Sequence, residues 1–172
     1  MVTPRLNRRH ILAGLSGVSA LAALPQLARA DDVIDLKWTD LMPPGQPAIP
    51  PVLHGRFGVN HENLSSEQPE SMGVRTEWNG EIVRLPGFII PIDYVGTGVI
   101  AFILVPFVGA CIHVPPPPAN QLVFVTTNEP YESSGLFEAV NVTGLFDTAS
   151  TTTQLADIAY ALSADKVEPF RV

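Results

Sequence analysis

The sequence predicts a mainly β protein, a small closed or partly open antiparallel β-barrel of OB-like appearance, with a long N-terminal loop and at most one or two short helices. Three observations predict it. From residue 78 onward, short apolar runs rich in Val, Ile and Phe alternate with Gly and Pro turns. Several short strands in a chain of 172 residues protect their edges best by closing into a barrel. Cys111 is the sole cysteine, so no intramolecular disulfide is available and the fold must rest on packing.

Taken in order, residues 1–30 read as a cleaved signal peptide, with a basic start, a short stretch rich in Ala, Gly and Leu, and Ala28-Arg29-Ala30 as a small-x-small cleavage site. The pair Arg8-Arg9 makes it a twin-arginine signal, which predicts engagement of the twin-arginine export machinery and a soluble periplasmic location. Its apolar stretch is shorter than the roughly 20 residues a membrane span needs, and no transmembrane segment is expected in the mature chain. Residues 31–73 read as an extended segment, VIDLKWTDL, followed by a long loop dominated by Pro, Gly, Asn and Ser.

Residues 74–172 read as the barrel. Asn79-Gly80, between RTEW and EIVRLPGF, predicts a β-hairpin. Pro86 and Pro91 predict a kinked or edge strand over residues 81–92. After a turn at residues 94–98, residues 99–105 have the length and branched content of a buried strand, and strands at 121–126 and 136–146 follow. Near the C-terminus Leu155, Ile158, Ala159 and Leu162 have helical spacing, with Thr153 as a cap. Tyr160, Leu162 and Ala164 alternate. The expectation is a short helix at 152–158 and a last strand at 159–168.

The formal charge is −7. Removal of Arg5, Arg8, Arg9 and Arg29 with the signal would leave 6 bases against 17 acids, or −11. The remaining cations are scattered singly, which excludes a phosphate-tracking groove for nucleic acid and disfavours anionic membrane surfaces. No phosphate loop or dinucleotide fingerprint is present.

The stretch GACIHVPPPPANQ, residues 109–121, is the strongest local motif. In extended backbone Cys111 and His113 would project from one face, half of a tetrahedral zinc site. Pro115 to Pro118 would hold the next residues rigid, and the amides of Asn120 and Gln121 could orient a ligand. Further ligands would come from His54 and His61 in the long loop, or from Glu62 and Asp93. Two other readings stand beside this one. Cys111 and His113 could be core residues of a protein-interaction module that presents the proline run. They could also form a nucleophilic pair, although no orienting acid or oxyanion donor is fixed by spacing.

The residues Trp78-Asn79-Gly80-Glu81, VRLPGF at 83–88, Pro91, FILVP at 102–106 and GACIHVPPPPANQ resemble a bacterial family of exported proteins, the domain of unknown function 3299. The resemblance covers roughly residues 33–170, and Cys111 and His113 match its signature in place. It implies a periplasmic or lipid-anchored protein without an established activity, in a family with members beside transition-metal uptake systems. A metal-uptake system is therefore an expected partner and zinc an expected cofactor. The cleavage site here lacks a lipobox cysteine, so a soluble form is expected.

Overall fold

The computed structural model describes residues 33–46, 68–110 and 116–170. Its strands are β1 (Ile34–Asp35), β2 (Ile82–Val95), β3 (Gly98–Val105), β4 (Val123–Tyr131), β5 (Ala139–Thr152) and β6 (Asp157–Pro169). Five of them, in the order β2-β3-β4-β6-β5, close into a barrel through a β2–β5 pairing, and β1 is added outside the ring. This is the strand order of an OB-type barrel.

β2 makes closure possible. Its first half pairs with β5, from Ile82↔Leu145 to Phe88↔Ala139, and its second half with β3, from Phe88↔Val105 to Val95↔Gly98. The strand changes partner at Phe88, beside Pro86 and Gly87. Each proline falls in a half with one barrel partner, where a missing N–H breaks no second ladder. The kink expected from sequence is the point at which the sheet turns the corner. Gly87 is buried, and a Cβ there would meet the Leu104 side chain at 2.7 Å, so the bend is also a close approach.

Alternation assigns the faces. Val83, Leu85 and Ile89, then Phe102 and Leu104, Val123 and Val125, Val140, Val142 and Phe146, and Tyr160, Leu162 and Ala164 fill the interior. The Phe146 and Tyr160 rings lie 5.1 Å apart between centroids, tilted by 33°, within the range of favourable aromatic pairs. Leu36, beside β1, and Leu41, at the end of the 3-10 turn Trp38–Leu41, join the same core. A second cluster forms where the other face of β2, β3 and β4 (Ile90, Ile103, Val105, Phe124) meets Phe107, Ala110 and Leu122 from the connection between β3 and β4.

Three local expectations are corrected. The barrel is mixed: β4 and β6 run parallel, from Val123↔Tyr160 to Thr127↔Ala164. A closed ring with an odd number of strands cannot alternate direction all the way round, so one parallel pair is required. Asn79-Gly80 does form a turn, with Gly80 at φ +80° and the Glu81 N–H donating to the Trp78 carbonyl at 3.0 Å. No strand precedes it, however, because the partner of β2 is β5 rather than RTEW. Residues 152–158 are not helical. Thr153 Oγ1 accepts from the Leu155 and Ala156 N–H groups at 3.2 and 3.1 Å, as a cap would, but the chain turns into β6. There Ile158, Tyr160, Leu162 and Ala164 are all buried at every second position, and burial of that face overrides the helical spacing.

Candidate functional site

Cys111 and His113, together with His54, His61 and Glu62, lie outside the described residues, as do Arg8, Arg9, Ala28 and Ala30 of the expected signal. The anchors on either side of the Cys-x-His segment are described. Ala110 is fully buried in the second apolar cluster. On the far side Pro117 is buried and Pro116 and Pro118 are partly so. The Pro118 carbonyl accepts from the Gln121 N–H at 2.8 Å, starting the 3-10 turn Ala119–Gln121. Of these three prolines, then, none is fully exposed.

Asn120 and Gln121 are the two buried polar residues among the described residues. Burial of an amide is tolerable only when its hydrogen bonds are made. The Asn120 Nδ2 donates to Gln46 Oε1 at 2.6 Å and to the Gly73 carbonyl at 2.7 Å, and Gln46 Nε2 returns a bond to Asn120 Oδ1 at 3.1 Å. Gln121 Nε2 donates to the carbonyls of Trp38 at 3.0 Å and Asn120 at 2.9 Å. Their amide hydrogens are therefore engaged in fastening the N-terminal segment to the barrel.

Gln68 completes this junction. Its Nε2 donates to the carbonyls of Pro117 at 2.8 Å and Asp157 at 2.9 Å, and its Oε1 accepts from the Asp157 N–H at 2.8 Å. Tyr160 adds a third tie, its hydroxyl donating to the Leu41 carbonyl at 2.9 Å and accepting from the Arg75 N–H at 2.7 Å. Burial is the main cause that pushes its phenol above the ordinary tyrosine value. Trp38 Nε1 donates to the Pro86 carbonyl at 2.7 Å.

Gln46 and Gln68 flank residues 47–67, the segment with His54 and His61. Asn120 and Pro117 follow the segment with Cys111 and His113. These two stretches contain every imidazole and thiol beyond residue 30, and both flanks of the first are bonded to residues that follow the second. Sequence reasoning missed Gln46, Gln68 and Tyr160. A tyrosine in a buried alternation signals that its hydroxyl needs a partner, but nothing local marks two glutamines whose partners lie 74 and 49 positions away.

Asp93 is exposed on β2, and its Oδ1 accepts from the Tyr94 N–H at 2.8 Å. Among the described residues no three His, Cys, Asp or Glu side chains are grouped as metal ligands, and these residues include none of the histidines and not the cysteine. The outer face of β3 and β4, by which OB-type barrels take oligonucleotides and oligosaccharides, is covered here by Phe107, Ala110 and Leu122. Among the described residues no helix is long and apolar enough to cross a membrane.

A closed mixed β-barrel of five strands with an added edge strand, tied to its N-terminal segment by uncharged amides, is the class that fold and site define. The chain belongs to the DUF3299 family of proteins of unknown function, whose family model matches residues 38–169. A crystal structure of a DUF3299 family protein from Pseudomonas aeruginosa PAO1 is similar, with 32% sequence identity and a TM-score of 0.70 over 81% of this chain and 97% of that one. No curated protein matches the chain.

Proposed function

We propose that this protein is an exported, periplasmic accessory protein of metal homeostasis that holds a divalent transition metal, zinc, with Cys111 and His113 and one or both of His54 and His61. The observation that supports the reading is the junction: Gln46 and Gln68, on either side of the segment with His54 and His61, bond to Asn120 and Pro117, which follow the segment with Cys111 and His113. Thiolate and imidazole are the donors zinc prefers. A site assembled from two segments with fixed ends also loses less chain entropy when it closes. Asn120 and Gln121, whose side-chain N–H groups are already committed, act by holding the chain that carries the ligands.

The leader supports the export half of the reading, with Arg8-Arg9 directing the chain to the twin-arginine machinery and Ala28 and Ala30 forming the cleavage site. That route carries folded proteins, so a metal could be loaded before export. A metal-uptake system is the partner such a protein would serve. Burial of Pro117 counts against the alternative in which the proline run is presented to a protein partner.

The test is a titration of the metal-free full chain with zinc in competition with a chromophoric chelator. The wild type binds about one equivalent, the Cys111→Ser, His113→Ala double variant binds none while keeping its β circular dichroism, and His54→Ala or His61→Ala weakens binding at least about tenfold. Affinity falls below neutral pH as the ligands protonate. A wild type that takes up no zinc at micromolar concentrations overturns the proposal.

A further inference from the structure

Asn79-Gly80 is the one Asn-Gly pair in the chain, and the fold uses it neither as a hairpin nor in the amide junction. It lies in the turn just ahead of β2 with both residues exposed, yet its polar groups are tied to β5. Asn79 Nδ2 donates to Thr148 Oγ1 at 2.9 Å, and Asn79 Oδ1 accepts from the Thr148 N–H at 3.1 Å. The Gly80 N–H donates to the Phe146 carbonyl at 2.8 Å, and the Phe146 N–H donates to the Glu81 carbonyl at 3.0 Å. The β2–β5 ladder, whose last strand pairing is Ile82↔Leu145, is thus extended first by backbone and then by a side chain.

Asparagine is a thermolabile residue, and a following glycine, which has no side chain to hinder ring closure, makes it more so. In the reaction the Gly80 nitrogen loses its proton and bonds to Asn79 Cγ, Nδ2 leaves as ammonia, and a cyclic imide forms. Water then opens the ring, at Cγ to give aspartate or at the main-chain carbonyl to give isoaspartate, and no oxidant or cofactor is consumed. The closed barrel opposes the first step at two atoms. The proton that must leave Gly80 is held on the Phe146 carbonyl, and the carbon to be attacked is held on Thr148 by both polar atoms of its amide. Since both residues are exposed to water, hydrogen bonding rather than burial is the restraint.

We infer that Asn79-Gly80 is a deamidation site held inactive by the closed barrel, so that an opened or unfolded chain is chemically marked while the folded chain is spared. A reaction that needs the opened form runs at a rate set by how often that form is populated. The mark also hinders reclosure. Asp147 Oδ1 accepts from the same Thr148 N–H at 2.8 Å, so a carboxylate in place of the Asn79 amide brings a second negative charge to that group. Isoaspartate lengthens the main chain just before Gly80, where the pairing of β2 with β5 is set. Unfolding followed by this reaction is irreversible. The inference uses no residue of the proposed metal site, so either can fail alone.

The experiment incubates the full chain in mildly alkaline buffer, folded and in urea, and follows the tryptic peptide of residues 76–84 by chromatography and mass spectrometry, which separate the amide, aspartate and isoaspartate forms. The folded wild type deamidates at least about tenfold more slowly than the chain in urea. Thr148→Val, which removes the Oγ1 acceptor and keeps the main chain, speeds the reaction in the folded chain about fivefold and leaves the rate in urea unchanged. Asn79→Asp lowers the urea midpoint. Equal rates in folded and unfolded wild type overturn the inference, as does a folded Thr148→Val chain that reacts no faster than the wild type. An Asn79→Asp midpoint equal to that of the wild type overturns the hindrance to reclosure. The comparison within the wild type decides the question even where Thr148→Val fails to fold.

Discussion

Tyr160 shows how much of the N-terminal attachment rests on single side chains. Its hydroxyl joins the Leu41 carbonyl and the Arg75 N–H inside a fully buried site, so Tyr160→Phe leaves two backbone groups without that partner. Such a loss costs about 1–3 kcal/mol, read as a lower urea midpoint. Tyr131 allows a test in pH. Burial first, and then Glu138 beside it, raise its phenol from 10.0 to about 12, and its hydroxyl donates to Glu138 Oε1 at 3.0 Å. The folded chain holds this proton more tightly than the unfolded chain does. Its contribution is therefore complete below pH 10 and is lost as pH rises toward 12. The wild-type urea midpoint falls more steeply across that window than that of Tyr131→Phe. Residues of this kind were only partly legible beforehand: the sequence exposes a tyrosine in an apolar alternation but not the carbonyl it will find. The sequence marks Asn120 and Gln121 as amides able to orient a ligand, whereas their N–H groups bind Gln46, Gly73 and Trp38, long-range partners that no local pattern encodes.

Among the elements, the long β5–β6 ladder depends most on one small residue. Gly144 sits at a register shift, and a Cβ there would run into the Ser163 carbonyl oxygen and come within 2.8 Å of the Ala164 Cα. Both neighbours are backbone of the paired strand and cannot swing aside. Gly144→Ala should cost about 3 kcal/mol or more, seen as loss of the cooperative thermal transition or a large drop in its midpoint. An alanine at Gly80, which has open space around it but φ +80°, should cost far less, about 1 kcal/mol. The strands themselves were legible because period-two burial and branched residues mark them. The parallel β4–β6 pair was not legible, because an antiparallel barrel was expected and strand order has no signature in any single segment. The helix expected at 152–158 failed because the Leu155 spacing competes with the alternation of Ile158, Tyr160 and Leu162, and tertiary burial decides such contests.

At the scale of the whole molecule, fold and family were readable while activity was not. The GACIHVPPPPANQ string and the apolar strand runs led to the family that the comparisons establish. The junction of Gln46 and Gln68 with Asn120 and Pro117 adds a reason for the donors of both segments to meet. Under the proposed function, a chain with no disulfide that is exported folded would gain from a metal clip closing two loops, and this would account for a lone cysteine placed two residues from a histidine.

The central claim is tested most directly by elemental mass spectrometry of the protein purified from the periplasm without chelators or affinity metals, beside the Cys111→Ser, His113→Ala variant. The account predicts about one equivalent of zinc in the wild type and none in a variant that retains its β circular dichroism. A wild type that leaves the periplasm metal-free, or a variant that keeps its zinc, would contradict it.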